Sequence, residues 1–223
     1  MLDFLRTIPA LFGEIFVEEQ RSTSAAYEGI ARAIACGCVV SGEISSYLFS
    51  RKLINKDDPS IIQQYLKNLE AFGIIKKIEV YNKNRFVYKH VSPLLKLFYY
   101  ADEKYNISER YPDEKEIDRI IEYIMPRIIE DEMRAFFAKK YGLKESVFKT
   151  ADFDVDVCLL KIKKPEVVAE IKWKTKVRAE DIKKTEANLS KFKVKKKIMF
   201  VPDKTGLKSD VIDIIDVNDL MTL

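Results

Sequence analysis

Asp156, Glu170 and Lys172 are the side chains whose types and spacing point most directly to chemistry. They fall in residues 153–173, which read as a hairpin: "DFDVDVCLLKI", a turn at Lys163, Lys164 and Pro165, then "EVVAEIKWK". Strand alternation groups Asp154, Asp156 and Cys158 on one face and Val155, Val157 and Leu159 on the other. On the second strand Glu170 and Lys172 share a face, with Ala169, Ile171 and Trp173 opposite. A turn centred near Lys164 sets Asp156 across from Lys172 and diagonal to Glu170. Two carboxylates and an ammonium then converge. Mg²⁺ takes one or two carboxylates and fills its remaining positions with water and phosphate oxygens, so this set suits Mg²⁺ or Mn²⁺. The lysine would orient an attacking water and stabilise charge on a scissile phosphate.

The elements that must hold this hairpin follow from periodicity. From Asp113 the pattern is helical, with Ile117, Ile120, Ile121 and Ile124 on one side. Pro126 should kink that helix or start a new one, which continues through Ile129, Met133, Phe136 and Phe137 to Gly142. Glu130 lies at one edge of the Ile129, Met133, Phe137 stripe, Glu132 at the other, and Asp131 points away. "SVFKT" precedes the hairpin; "RAEDIKKTEANLSKF" is helical after it; "KKIMFVP" and "DVIDIID" are strands. The order is α, β, β, β, α, β with an added strand.

The first half reads differently. Residues 24–35 form a helix on Tyr27, Ile30 and Ile34; "SGEISSYLF" forms a second, capped by Ser41. A third has Asp58 as cap, Pro59 in its first turn, Ile62, Tyr65, Leu66 and Leu69 as its stripe and Gly73 as its stop. "IIKKIEVY", the turn at Asn82–Asn84 and "RFVYKHV" alternate as a hairpin. Three helices and a hairpin are the order of a winged helix-turn-helix. The third helix would present Ser60, Gln63, Gln64 and Lys67 to base edges, and Lys76, Lys77, Lys83, Arg85 and Lys89 of the wing would reach phosphates. Asp57, Asp58 and Glu70 oppose this, so protein docking stands beside DNA contact as a role for the module. "SPLLKLFYY" reads as a short helix packing back on it. The expected organisation is an N-terminal extension and winged module over 1–100, a linker over 101–112 and an α/β domain with a central mixed sheet over 113–223.

Asp156, thirteen intervening residues and then "EIK" resemble the D…(D/E)xK signature of the restriction-endonuclease-like nuclease superfamily, and the element order of the second half agrees with that core. "IIEDEMRAFF" resembles the helix on which many members carry a further acidic ligand. More narrowly, "EEQRSTSAAYEGIARAIACG", the winged module, "YKHVSPLLKLFYYA", "IEDEMRAFF", "DVDV" and "EIKWK" together resemble the C-terminal half of archaeal STAND-class P-loop ATPases. There a winged helix precedes a nuclease-like PD-(D/E)xK domain. The resemblance implies Asp156, Glu170 and Glu130 as metal ligands, Lys172 as catalytic lysine, DNA as substrate, and an ATPase domain or partner protein as associate. Such domains can keep the fold and lose the activity. The chain would then be a non-catalytic DNA-binding or regulatory piece of an ATPase.

Composition narrows the classes further. The 223 residues are 47% apolar, enough for a core, and no uninterrupted apolar run nears the roughly 20 residues of a bilayer span. No secretory signal pattern opens the chain, and a cytoplasmic protein is expected. Three cysteines, with only Cys36 and Cys38 close together and a single histidine, His90, argue against a disulfide scaffold, a zinc site and a triad. No GxxxxGK[ST] occurs and no glycine precedes a lysine, so no ATP site is expected. The net charge of +4 hides segregation: residues 161–208 carry 16 Lys plus Arg against 6 Asp plus Glu, and residues 113–132 carry 3 against 8. A basic surface beside an acidic helix is what a metal-dependent nuclease needs.

Overall fold

The computed structural model describes residues 21–220, so the expected N-terminal extension over residues 1–20 lies outside the described residues. The described chain is mixed α/β, with seven strands and seven helices. None of these helices is long and apolar enough to cross a membrane. The described residues form two compact units, one from those up to Lys77 together with Phe86–Ile124, the other from Ile78–Arg85 and those from Met125 on.

In the first unit, α1 (Arg21–Ala35), α2 (Ser41–Ser50) and α3 (Gln63–Ala71) precede a hairpin of β1 (Ile75–Val80) and β2 (Phe86–His90). Ser41 is not the cap of α2. The cap position is Val40, and Glu43 supplies the acceptor, its Oε2 taking the N–H groups of Val39 and Val40 at 3.0 and 3.4 Å. Asp58 likewise stands before a turn: its Oδ1 accepts from Ser60 N, residues 59–62 form that turn, and α3 begins at Gln63. Gly73 ends the segment at φ +68°, a left-handed conformation that a Cβ disfavours. Tyr27, Ile30, Ile44, Leu48, Ile62, Leu66 and Leu69 are fully buried and make the core.

Helix α4 (Pro93–Tyr105) follows, with Ser92 as N-cap accepting from Leu95 N and Pro93 in the first turn. It is longer than its apolar run implies, because Asp102 is buried against Arg32 of α1 at 2.6 Å and also accepts from Ser108 N. Residues 101–112, expected as a linker, thus hold the last turns of α4, the left-handed Asn106 and the buried Ile107. Asp113 and Glu116 open α5 (Glu114–Tyr141) with reciprocal bonds: Glu116 N donates to Asp113 Oδ1 at 2.8 Å and Asp113 N to Glu116 Oε2 at 3.1 Å. α5 runs through Pro126 without interruption, and Gly142 at φ +61° ends it.

The second unit is built on β3 (Lys144–Lys149), β4 (Asp154–Lys161), β5 (Lys164–Ile171), β6 (Lys196–Phe200) and β7 (Asp213–Ile215), with α6 (Ala179–Ser190) between β5 and β6 and a short α7 (Val217–Leu220) at the end. The order α5, β3, β4, β5, α6, β6, β7 is the one read from the sequence. β3, β4 and β5 pair antiparallel, while β5, β6 and β7 pair parallel. One strand was assigned elsewhere by its pattern: Glu79 and Val80 of β1 pair parallel with Ser146 and Val147 of β3, which explains why residues 78–85 count with this unit. Two apolar layers cover the sheet. Met133, Phe137 and Ala138 of α5 pack with Val157, Leu159, Ala169 and Ile171 on one side. Ile182 and Leu189 of α6 pack with Val155, Cys158, Leu160 and Val168 on the other.

Candidate active site

The β4–β5 turn is tighter than its sequence indicates. Ile162 and Lys163 take positive φ values of 46° and 65°, so the turn is two residues long and Lys164 and Pro165 already belong to β5. That turn pairs Lys161 with Lys164 and Leu160 with Pro165; one extra β5 residue, Glu166, then shifts the register, so that Leu159 pairs with Val167, Cys158 with Val168 and Val157 with Ala169. Asp156 and Glu170 are the next residues beyond the last of these pairs, at the end of the ladder. The expected partner across from Asp156, Lys172, is displaced by two residues.

Alternation along β4 also fails at Asp156. Val155 packs in the α6 layer with Cys158 and Leu160, whereas Val157 and Leu159 pack in the α5 layer, so the period of two is broken between 155 and 157. The pairing with β3 slips at the same point, from Ser146↔Cys158 to Phe148↔Val155, leaving two β4 residues against one of β3. This is a β-bulge containing Asp156, a device that re-aims a side chain and bends the strand. The grouping of Asp154, Asp156 and Cys158 on one face therefore does not hold. The bulge lets the Asp156 carboxylate turn toward β5, where Oδ2 accepts from Ile171 N at 2.8 Å.

Glu170 is buried at the end of β5, and Lys172 Nζ bonds its Oε2 at 2.6 Å. Lys172 N donates to Phe200 O of β6 at 2.8 Å, which fixes the lysine's backbone just past the strand end. Burial, with the Asp156 charge added, pushes the Glu170 carboxyl up to about 7. Burial also raises Asp156, against the opposing pull of the Ile171 N–H, Lys172 and Arg134. For Lys172 burial acts against the charged form, but Glu170, Asp156 and Glu130 outweigh it and hold the ammonium above its ordinary range. Trp173 stacks on Phe200 with ring centroids 6.2 Å apart, packing beside the apolar layer under α5.

The helix-borne residues are distributed differently from the stripe reading. Asp131 does not point away: it is buried, and its Oδ1 receives a hydrogen bond from Arg134 Nη1 at 2.8 Å. Arg134 is buried as well and donates from Nε to the backbone oxygen of Asp156 at 2.8 Å. Glu130 is half-buried and close enough to act electrostatically on Lys172, while Glu132 is exposed. The missed pair had a signal. Ile124, Ile128, Asp131 and Ala138 stand at helical spacing and are all buried, a row parallel to the stripe of Ile129, Met133 and Phe137.

Asp156 and Glu170 are the side chains able to hold a metal. A buried carboxylate beside a half-buried one, the first raised by burial and then by the charge of the second, is a donor set that a hard divalent cation relieves. Among the described residues no group of three or more His, Cys, Asp or Glu side chains is gathered for a metal. Water would complete the shell.

Of the nine residues expected at DNA, six show how they are divided between the two units. Ser60, Gln64 and Lys67 are exposed and Gln63 half-buried; Gln63 Nε2 donates to Pro59 O at 2.9 Å and Gln64 Nε2 to Asn68 Oδ1 at 2.8 Å. Lys83 and Arg85 are exposed in the second unit, and Lys83 Nζ donates to Lys149 O at 2.7 Å. His90 is buried and its Nε2 lies 2.9 Å from Ala31 O, a structural placement. No family model and no curated protein matches the chain.

Proposed function

We propose that the chain is a metal-dependent nuclease that hydrolyses DNA phosphodiesters, with a restriction-endonuclease-like second unit and a winged-helix first unit that binds the substrate. The observation that carries this reading is the meeting of Asp156, in its bulge, with Glu170, whose Oε2 is held by Lys172 Nζ at 2.6 Å. Asp156 and Glu170 would hold Mg²⁺ or Mn²⁺, with Glu130 of α5 as the further acidic residue. When bound, the cation polarises the scissile phosphate and acidifies a bound water. Lys172 stands next to the carboxylate pair to orient the nucleophile and to offset charge that develops on phosphate. Ser60 would face DNA from the turn before α3, Gln63, Gln64 and Lys67 from α3, and Lys83 and Arg85 from the β1–β2 loop.

The test compares wild type with Asp156→Ala on linear, nicked and single-stranded DNA, with Mg²⁺, with Mn²⁺ and with chelator. Metal-dependent cleavage lost in Asp156→Ala supports the proposal. Equal cleavage by both identifies a contaminating nuclease and rejects it.

A second reading rests on the Glu170–Lys172 ion pair: a lysine that neutralises its carboxylate can stabilise the fold in place of a cation. On that reading the chain is a non-catalytic DNA-binding or docking part of a P-loop ATPase. DNA binding in chelator, with no cleavage under any metal, selects it.

A further inference from the structure

The second unit has a cleft of about 470 Å³ on the α6 side of its sheet, the side opposite α5. Its floor is aromatic. Phe148 meets Phe153 with centroids 5.1 Å apart and Phe192 at 4.8 Å, the latter edge-on at 76°. Phe192 is buried, but Phe148 and Phe153 are half-exposed to the cleft. Its rim is cationic: Lys164, Lys191 and Lys193 line it, all exposed, and no carboxylate does. Among the described residues none of the three pairs with an acid, and Lys191 Nζ rests 3.7 Å over the Phe153 ring.

An apolar extension of the core would close over its rings. Here Phe148 and Phe153 stay half-exposed inside a ring of positive charge, with the Lys191 ammonium resting over one face of Phe153. The complementary ligand is one with π-faces carried on a regular series of anions, its base taking the ammonium's place on the ring and its phosphate receiving the ammonium. We propose that this cleft binds single-stranded nucleic acid, one base entering against Phe148 and Phe153 while flanking phosphates engage Lys164, Lys191 and Lys193. Aromatic platforms beside lysines are the physical requirement for such binding, because each unstacked base offers a face and each phosphate a charge. A duplex keeps its bases stacked and meets only the lysines. An acidic peptide satisfies the charge but has no planar group for the floor.

Binding is measurable on the full chain in chelator, where no cleavage contributes, so its outcome is separate from that of the nuclease assay. Fluorescence polarisation would follow a labelled 12-nucleotide dT strand, the same strand made abasic, its duplex and a poly-glutamate peptide over a salt series. The expected result is that dT binds about tenfold tighter than the abasic strand, and that replacing Phe153 weakens dT binding while leaving duplex binding unchanged. Phe153→Ala and Phe153→Leu should each lose about tenfold without altering the salt slope, and Lys191→Ser with Lys193→Ser should flatten that slope by about 1.4. Unchanged thermal midpoints check that these variants fold, and the leucine variant keeps the apolar packing. Photocrosslinking a 5-iododeoxyuridine strand to the wild type should label the peptides holding Phe148 or Phe153. Equal affinity for abasic and dT strands, equal competition by poly-glutamate, unaltered binding by both Phe153 variants, or crosslinks confined to other peptides would each overturn the proposal.

Discussion

Arg134 of α5 donates from Nε to the backbone carbonyl of Asp156 at 2.8 Å, tying the helix to the one residue at which β4 breaks its alternation. The guanidinium is also held by Asp131, and both side chains are almost completely withdrawn from water. Buried ion pairs are weak contributors to stability, since desolvation offsets their attraction, yet removing one partner strands the other charge. Arg134 thus acts as a positioning residue for Asp156. Replacing Arg134 by Met should destabilise the protein by about 3–5 kcal/mol in denaturant titration. The Asp131→Leu, Arg134→Met double variant should regain most of that stability. Mn²⁺ affinity, read by calorimetry, should remain reduced in the double variant, because its bulge has lost the donor that fixes the Asp156 backbone. Full Mn²⁺ affinity in the stable double variant would assign the pair to packing alone.

Lys172 and Glu170 should separate in their effects on the proposed reaction. Lys172→Met keeps the metal donors and removes the ammonium, so cleavage rate at saturating Mn²⁺ should fall by about 10²–10⁴-fold with Mn²⁺ affinity retained or increased. Glu170→Gln removes a charged ligand and should weaken Mn²⁺ binding itself. Single-turnover kinetics over a metal titration distinguish the two. Loss of metal binding in Lys172→Met, with Glu170→Gln unaffected, would reverse these roles.

Lys67 and Gln64 test the first unit. Lys67 is exposed on α3, one turn before Glu70, and a phosphate contact from it would add about 0.9 to the slope of log affinity against log salt on duplex DNA. Lys67→Ala should remove that increment uniformly over sequences. Gln64→Ala should leave the slope intact and relax preference at one base position, because its amide is a base-edge donor. An unchanged slope for Lys67→Ala in polarisation titrations would take α3 off the DNA.

What was legible in the sequence followed from local rules. The α, β, β, β, α, β order could be read because each strand and helix keeps its own period and its own stop, such as Gly142 after α5. The pairing of Asp156 could not, since it depends on where the chain reverses. Ile162 is a β-branched residue in a left-handed conformation, and its type gives no hint of that, whereas Lys164 and Pro165 look like turn residues and lie in a strand. Asp131 was hidden for another reason. A charged residue in an apolar row is read as solvent-facing until its partner is known, and Arg134 gains its meaning only from the carbonyl of Asp156, which is distant in sequence. The outer part of β1 was assigned by chain order to its own hairpin, because pairing with β3 leaves no mark on its alternation.

The start of α5 gives a pH-dependent readout of the element that carries Asp131 and Arg134. Glu116 is bonded by both guanidinium nitrogens of Arg110, at 2.8 and 2.9 Å, and by the Asp113 N–H. These donors stabilise the carboxylate and lower its pKa from 4.5 to about 2, the Arg110 bond acting most strongly. A carboxyl whose folded pKa is depressed contributes stability that is fully present above the unfolded value and disappears as pH falls through the folded one. Wild type should therefore be more stable than Glu116→Gln at pH 6. The gap in thermal midpoint should narrow between pH 4.5 and pH 2 and flatten below that. Because the group is exposed, the gap at pH 6 should also shrink in 1 M salt, where screening acts within about 3 Å. A midpoint difference constant from pH 6 to pH 2 would mean that the neutral capping bonds, and not the charge on Glu116, hold the first turn of α5.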